Sequence, residues 1–166
     1  MNVLPQRSQL PHATPAWVQT GSTYVITICC QPRGLAQLCN QRVADGIFEA
    51  IDFRNTEGQW RAQLFLLMPD HLHALIAFPV DREMTKVIGS FKEITAKKTG
   101  VHWQRDFFDH RLRSDESFEE KAGYIRANPV RRGLVTKEDL WPWKWEYDML
   151  NHGGPGGPAL PKAVHD

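Results

Sequence analysis

The chain has 166 residues, of which 42% are hydrophobic and 23% are charged, and its formal net charge is +1. This is the composition of an ordinary globular protein, so it excludes collagen-like, coiled-coil and wholly disordered chains, and the near-neutral total argues against a uniformly basic nucleic-acid coat protein. The charge is segregated, however: residues 84–113 contain seven basic and three acidic residues, and residues 45–57 contain four acidic residues and one arginine, so a local basic face is still expected.

The protein is expected to be cytoplasmic. The N-terminal segment MNVLPQRSQLPHATPAW lacks the apolar region of a signal peptide, and no apolar run approaches the roughly 20 residues of a membrane span. The three cysteines, Cys29, Cys30 and Cys39, are too few for a disulfide scaffold or a zinc knuckle, and we interpret them as reduced core thiols. The sequence has no Gly-rich phosphate loop, so no nucleotide cofactor is expected.

Proline and glycine mark both ends of the chain. Residues 1–16 contain three prolines and no periodicity, which predicts a tail, and residues 151–166 are a Gly/Pro-rich segment that is expected to be disordered. No linker or internal repeat interrupts the sequence between them. Residues 17–150 are therefore predicted to form a single domain.

The first half of the domain predicts a strand, a helix and an antiparallel hairpin. Residues 17–30 are rich in β-branched and aromatic residues, as is typical of a strand. The strands predicted over 59–68 and 71–78 flank a Pro-Asp turn. An apolar residue at every fourth position predicts a helix over 34–53, whose buried stripe is Leu35, Cys39, Val43, Ile47 and Ile51.

The second half predicts a helix over 84–99, a strand over 107–113 and a third helix. Ser117 begins the third helix as the first residue of a capping box, and Pro129 ends it near Asn128. The resulting order is β-α-β-β-α-β-α. We therefore predict an α+β fold in which a ferredoxin-like antiparallel sheet carries one additional C-terminal helix.

His71 and His73 are candidate metal ligands. Residues i and i+2 of a strand lie on the same side of a sheet, so the two imidazoles are expected side by side, at the start of a strand and next to a turn. The alternative is a solvent-facing pair without a ligand, because a His-x-His pattern alone is weak evidence for a metal.

Tyr124 and Asn128 are the candidate functional residues of the third helix, where they lie one turn apart. At about 100° per residue, Tyr124 lies roughly 120° from the apolar stripe of its helix, with Lys121 on the same side. It is therefore not placed as a core tyrosine. The alternative is a surface tyrosine beside a helix-terminal asparagine. The apolar stripe consists of Phe118, Ala122 and Ile125.

Three segments have compositions that suit nucleic acid. NPVRRGLV places two arginines between a proline and a glycine, and such a pair can hold phosphates. HWQRDFFDHRLR and WPWKW interleave rings with cations, which suits stacked single-stranded bases; solvated or core side chains are the alternative. The candidate DNA-binding residues are Lys97, Lys98, Arg111, Arg113, Lys121, Arg131, Arg132, Trp141 and Trp143.

The segments MPDHLHALI, WQRDFFDHRLR, YIRANPVRRGLV and WPW, in this order, resemble the REP-associated tyrosine transposases. These form part of the single-tyrosine branch of the HUH endonucleases, where HUH denotes two histidines separated by a hydrophobic residue. The resemblance covers residues 17–147. Its most diagnostic part is the tyrosine-helix motif Y-I-x-x-N-P-V-x-x-G-L-V.

The resemblance implies a role for each candidate residue. His71 and His73 fall on a pair that binds a divalent metal, and Tyr124 falls on the nucleophile, which forms a covalent 5′-phosphotyrosine. We expect Mn²⁺ or Mg²⁺, because imidazole favours manganese and cellular availability favours magnesium. Asn128 stands where related single-tyrosine transposases have a glutamine that completes the metal site, and its shorter side chain leaves direct and water-bridged ligation open. The implied substrate is single-stranded DNA with hairpin-forming repeats. A monomer and a homodimer both remain open.

Three alternative hypotheses belong to other function classes. A metal-dependent phosphoesterase would use a bound water and form no covalent adduct with DNA. A domesticated hairpin-binding protein would keep the basic face and tolerate loss of Tyr124, and a ferredoxin-like interaction domain would not bind nucleic acid at all. The presence of His71, His73 and Tyr124 together favours the enzyme.

Overall fold

The structure, a computed structural model, describes residues 22–113 and 116–147. Five strands form one antiparallel sheet in the order β4-β1-β3-β2-β5. The first six elements follow the order β-α-β-β-α-β, so the predicted ferredoxin-like arrangement is confirmed. The elements are β1 (Thr23–Cys29), α1 (Gln41–Thr56), β2 (Arg61–Leu67), β3 (His71–Ala77), α2 (Met84–Thr99), β4 (Phe108–Arg111), α3 (Phe118–Arg126), α4 (Asn128–Arg131), a 3₁₀ turn (Glu138–Leu140) and β5 (Lys144–Glu146).

The sheet is covered on both faces, and alternate residues of β3 serve the two sides. Leu72, Ala74 and Ile76 belong to the large core formed with α1 and α2. Leu75 belongs to a second apolar cluster with Ala122 and Ile125 of α3. Because the central strands are buried on both faces, their sequences are nearly continuous apolar runs instead of alternating patterns. The histidines of β3 share the α3 face with Leu75.

The first helix begins at Gln41, later than the predicted Gly34. Asn40 has an extended backbone, and its side chain accepts a hydrogen bond from the Val43 N–H at 3.0 Å, which caps the helix there. The preceding residues form a loop that packs against the hairpin turn, where the N–H groups of Gln37 and Leu38 donate to the Pro69 carbonyl. Leu35, at 54% exposed, is consequently not part of the buried stripe.

Other boundaries also differ from the predictions. β4 is shorter than the predicted strand over 107–113, and β5, which pairs with β2, was not predicted. The third helix ends at Arg126, and Pro129 lies in the first turn of the short α4, where its missing N–H costs no helical hydrogen bond.

The three cysteines are free, and burial raises the pKa of the Cys30 thiol to about 12, as expected for a core thiol. The other two cysteines are only half-buried. No helix among the described residues is long and apolar enough to cross a membrane. The predicted tails, 1–16 and 151–166, lie outside the described residues.

Candidate active site

His71 and His73 lie side by side on β3, as the i, i+2 spacing predicts. Their ring centroids are 4.9 Å apart and the rings are nearly perpendicular, at 83°. In the sheet, His71 lies opposite Cys29 of β1, and His73 lies between Thr27 of β1 and Leu66 of β2. The pair is not solvent-facing on a half-exposed strand: His71 is buried and His73 is half-buried.

Each imidazole is held through its Nδ1 atom. Nδ1 of His71 lies 2.8 Å from Oδ1 of Asp70, and Nδ1 of His73 lies 3.0 Å from Oγ1 of Thr27. Asp70 is itself fixed, because its Oδ2 accepts a hydrogen bond from the Gly34 N–H at 2.8 Å and lies 3.3 Å from Nε of Arg33. Contacts at Nδ1 orient the rings and leave both Nε2 atoms to a ligand, as is usual for histidines that bind metals.

Burial keeps both histidines neutral near pH 7. The pKa of His73 is lowered to about 4, chiefly by burial and in smaller part by the neighbouring charges, which include Arg131 and Arg132. Burial also lowers the pKa of His71, although Asp70 opposes the shift. Neutral imidazole is the form that binds a metal ion.

The two imidazoles suit a divalent cation that takes its remaining ligands from other groups. Among the described residues, no group of three or more His, Cys, Asp and Glu side chains is placed to hold a metal ion. Two imidazoles leave most of a coordination sphere for other oxygen donors such as an amide, water or phosphate. Asn128, the first residue of α4, is 6% exposed and could supply an amide oxygen.

Tyr124 is placed on the outer side of α3, as its offset from the apolar stripe predicts. Ser117 caps the helix by accepting a hydrogen bond from the Glu120 N–H, and Ala122 and Ile125 are buried against the sheet. Tyr124 is 65% exposed. Since α3 packs against β2 and β3 on the face that carries the histidines, the tyrosine belongs to the same side of the sheet as the histidine pair.

Arg131 contacts the candidate nucleophile directly. Its guanidinium carbon lies 3.7 Å from the centroid of the Tyr124 ring, and its Nη1 donates to the Tyr124 carbonyl at 2.9 Å. This stacking places a cation on one face of the phenol. Arg132 directly follows α4 and is exposed to solvent.

The remaining DNA-binding candidates divide between the two faces of the sheet. Lys121 on α3 pairs with Glu116 at 3.3 Å, and Arg113 is exposed just after β4. Arg111 lies opposite Tyr24, whose side chain belongs to the core beneath α1 and α2, so it projects away from the histidines. Lys97 and Lys98 lie on α2, on that same far side, and pair with Glu93 and Glu49.

The two candidate tryptophans have packing roles in this structure. The Trp141 indole N–H donates to the Leu67 carbonyl at 2.9 Å, and its ring packs against the cluster beneath α3. Trp143 packs against the main core, and its carbonyl accepts from the Leu67 N–H. Their contact with DNA stays a prediction.

Sequence reasoning missed the residues that orient the histidines. The sequence predicts only a turn at Asp70 and a strand at Thr27, and it predicts no role for Arg33. Asp70 had a usable signal, because a carboxylate directly before a histidine pair is a common partner of a metal-binding imidazole. Thr27 and Arg33 had no such signal in the sequence, since only the strand register and the path of the loop bring them close to the histidines or to Asp70.

Comparison with known proteins gives a family and a fold. Residues 19–127 match the model of the family described as "Transposase IS200 like". A Haemophilus influenzae protein described as a REP-associated tyrosine transposase is 28% identical over 95 residues, which span 46% of this chain and 53% of that relative. A solved REP-associated tyrosine transposase bound to a REP hairpin covers 90% of this chain and 98% of its own, at 18% identity and a TM-score of 0.64, which establishes a common fold.

Proposed function

This chain belongs to the IS200-like transposase family, and from that premise we propose that it is a metal-dependent endonuclease and strand transferase. It would cleave single-stranded DNA at hairpin-forming repeats and remain joined to the DNA through Tyr124. The observation that carries the proposal is the pair of oriented, neutral histidines on the same face of the sheet as the helix that presents an exposed tyrosine.

His71 and His73 would hold the Mg²⁺ or Mn²⁺ ion through their Nε2 atoms, with Asn128 as a direct or water-bridged ligand. Such an ion polarises a non-bridging phosphate oxygen and orients the leaving group. The contribution of the protein is to keep both imidazoles neutral and to hold each ring by its Nδ1 contact. Asp70 and Thr27 therefore orient the two rings without being ligands themselves.

Tyr124 would act as the nucleophile. Its Oη forms a bond to phosphorus, the bond between phosphorus and the 3′ oxygen of the upstream nucleotide breaks, and the phenolic proton ends on that oxygen. The phosphotyrosine keeps a phosphodiester linkage, so a 3′ hydroxyl can later reverse the step and join strands without ATP. The exposed position of the ring lets a DNA strand reach it.

Hairpin DNA is the proposed substrate, because the solved relative is bound to a REP hairpin and because cations surround the site. Arg33 pairs with Asp70, which contacts His71, and Arg131 stacks on Tyr124, so a guanidinium group lies beside each part of the proposed site. Guanidinium groups bind phosphate oxygens in two-pronged geometry. A chain with a formal net charge of only +1 thus has a locally basic site.

The test uses hairpin oligonucleotides with single-stranded flanks, labelled separately at the 5′ and 3′ ends and incubated with the full chain and Mn²⁺ or Mg²⁺. On a denaturing protein gel, the 3′ label should migrate with the protein and the 5′ label should run free as a shorter strand. Tyr124→Phe keeps the ring and should abolish the adduct. Cleavage without any adduct would instead support a phosphoesterase, and an adduct in Tyr124→Phe would identify another nucleophile.

A further inference from the structure

The helix that carries Tyr124 is short and buries few side chains. Of the nine residues of α3, Ala122 and Ile125 are buried. A helix of this length is not stable by itself, because isolated helices shorter than about 12–15 residues are marginal in water. The position of Tyr124 therefore depends on how the rest of the protein holds α3.

An ion pair joins the last residue of α3 to the edge strand β5. Nε of Arg126 donates to Oε1 of Glu146 at 3.0 Å, and Nη2 donates to the same oxygen. Glu146 lies opposite Leu64 of β2, whose side chain belongs to the cluster beneath α3. The carboxylate thus leaves the sheet on the face that carries α3. The side chains of Arg126 and Glu146 are 26% and 33% exposed, so the pair is partly shielded from solvent.

β5 is itself fixed from the opposite face of the sheet. Its central residue, Trp145, is buried in the main core. The Trp145 indole N–H donates to Oδ1 of Asp52 on α1 at 2.9 Å. On the α3 face, Nζ of Lys144 lies 3.5 Å from Oε2 of Glu146 and holds the second carboxylate oxygen. The ion pair therefore fixes the end of α3 relative to the sheet.

Arg126 and Tyr124 lie on nearly opposite sides of α3. Successive residues of a helix are rotated by about 100°, so Arg126 lies roughly 160° from Tyr124 around the helix axis. Arg126 is thus not placed to contact a phosphate at the Tyr124 hydroxyl. The ion pair instead controls the rotation of α3 about its axis, and this rotation sets the direction of the Tyr124 ring.

We propose that Arg126 and Glu146 are positioning residues for the attack of Tyr124 on phosphorus. The inference rests on the proposed function, since it takes Tyr124 as the nucleophile. Loss of the ion pair leaves His71 and His73 in place, so it should slow the chemical step and leave the affinities for metal and DNA unchanged. A pair that only stabilised the fold would lower the temperature of unfolding and leave the rate of the folded protein unchanged.

The experiment measures single-turnover adduct formation with a flanked hairpin and Mn²⁺, at saturating protein and well below the temperature of unfolding. Glu146→Ala should slow the reaction by about 10- to 100-fold, because misplacement of a reacting group by about 1 Å can cost 100-fold. Glu146→Gln keeps an acceptor oxygen on a side chain of the same length and should retain more of the rate. Arg126→Gln combined with Glu146→Ala should be no slower than Glu146→Ala alone, as expected for two residues that act through one contact.

Hairpin and Mn²⁺ affinities are measured in a Tyr124→Phe background and should be the same with and without Glu146→Ala. Glu83→Gln is the matched control, because Glu83 pairs with Lys86 of α2 at 3.3 Å on the opposite face of the sheet. It should form the adduct as fast as the wild type. An unchanged rate in Glu146→Ala, a rate loss that weaker metal or hairpin binding explains, or additive losses in the double variant would each overturn the inference.

A second measurement does not require cleavage. The chain has three tyrosines, so incorporation of 3-fluorotyrosine gives three ¹⁹F resonances, of which Tyr124→Phe identifies that of Tyr124. Glu146→Ala should shift or broaden this resonance, and Glu83→Gln should leave it unchanged. An unmoved resonance in Glu146→Ala would contradict the positioning role. A wild type that forms no adduct would contradict the proposed function, and the resonance would still decide whether the ion pair sets the orientation of Tyr124.

Discussion

The guanidinium of Arg131 stacks on the ring of Tyr124, with its carbon 3.7 Å from the ring centroid, and donates to the carbonyl of the same residue. An arginine that the sequence predicts as a phosphate contact is thus also in contact with the candidate nucleophile. The stack covers one face of the phenol and joins the end of α3 to α4. It restricts the directions from which a DNA strand can approach Tyr124.

Arg131→Lys should slow adduct formation although it keeps the charge. Lysine cannot stack as a planar group and donate to the carbonyl at once, and misplacement of a reacting group by about 1 Å can cost 100-fold in rate. We expect a loss of about 10- to 100-fold in the single-turnover rate. Arg82→Gln, which removes an exposed charge in the loop before α2, is the control. A full rate in Arg131→Lys would mean that the charge alone matters.

Asp70→Ala should weaken metal binding without removing a ligand. Asp70 links His71 to the Gly34 N–H and to Arg33, and loss of such a partner typically lowers metal affinity by about 10- to 100-fold. Calorimetric titration with Mn²⁺ measures this directly. Asp81→Ala, an exposed acid in the loop that precedes α2, should bind Mn²⁺ as the wild type does. Unchanged affinity in Asp70→Ala would show that the ring needs no carboxylate.

His71→Ala and His73→Ala should each abolish cleavage, and an excess of chelator should do the same to the wild type. The reason is that both side chains leave the same face of one strand and are held at Nδ1, so the proposed metal would bind at their Nε2 atoms. Far-ultraviolet circular dichroism and thermal unfolding should show that both variants are folded. Full activity of the wild type in chelator would remove the metal from the mechanism.

The order of the elements and the two histidines were predictable because each depends on local sequence. The spacing of His71 and His73 needs only a strand, and the position of Tyr124 needs only helical periodicity. Helix α2 has the predicted bounds, since Gly100 adopts a left-handed backbone (φ 77°) that ends it where glycine is favoured.

The features that were not predicted depend on contacts between residues that are distant in sequence. The apolar spacing of Leu35 and Cys39 continues the pattern of α1, but the loop that contains them is held by the Pro69 carbonyl and by Asp70, about 30 residues away. β5 has only three residues and exists through its pairing with β2.

The ionisation of Glu116 should make the stability of the folded protein depend on pH, through its contacts between β4 and α3. The hydrogen bond from His110, then that from the Arg113 N–H, and then the contact with Lys121 lower its pKa from 4.5 to about 2. Because the folded-state pKa is depressed, the stabilisation is complete above about pH 4.5 and is lost as the pH falls towards 2. Carboxyl NMR titration measures the value. His110→Ala should raise it, and an unchanged titration would contradict the assignment.

Asn128→Ala separates the two ways in which this residue could serve the metal. Asn128 is buried at the start of α4, three and four residues before the arginines whose charges reach His73. If the amide acts through a water molecule, cleavage should slow by about 10- to 100-fold with a comparable loss of metal affinity; if it ligates directly, calorimetry should show that Mn²⁺ binding collapses. Asn128→Gln also distinguishes the two cases. The longer glutamine side chain can reach the ion directly, so it should bind Mn²⁺ as a direct ligand whichever way Asn128 acts. Unchanged rate and affinity in Asn128→Ala would leave Asn128 as a helix terminus only.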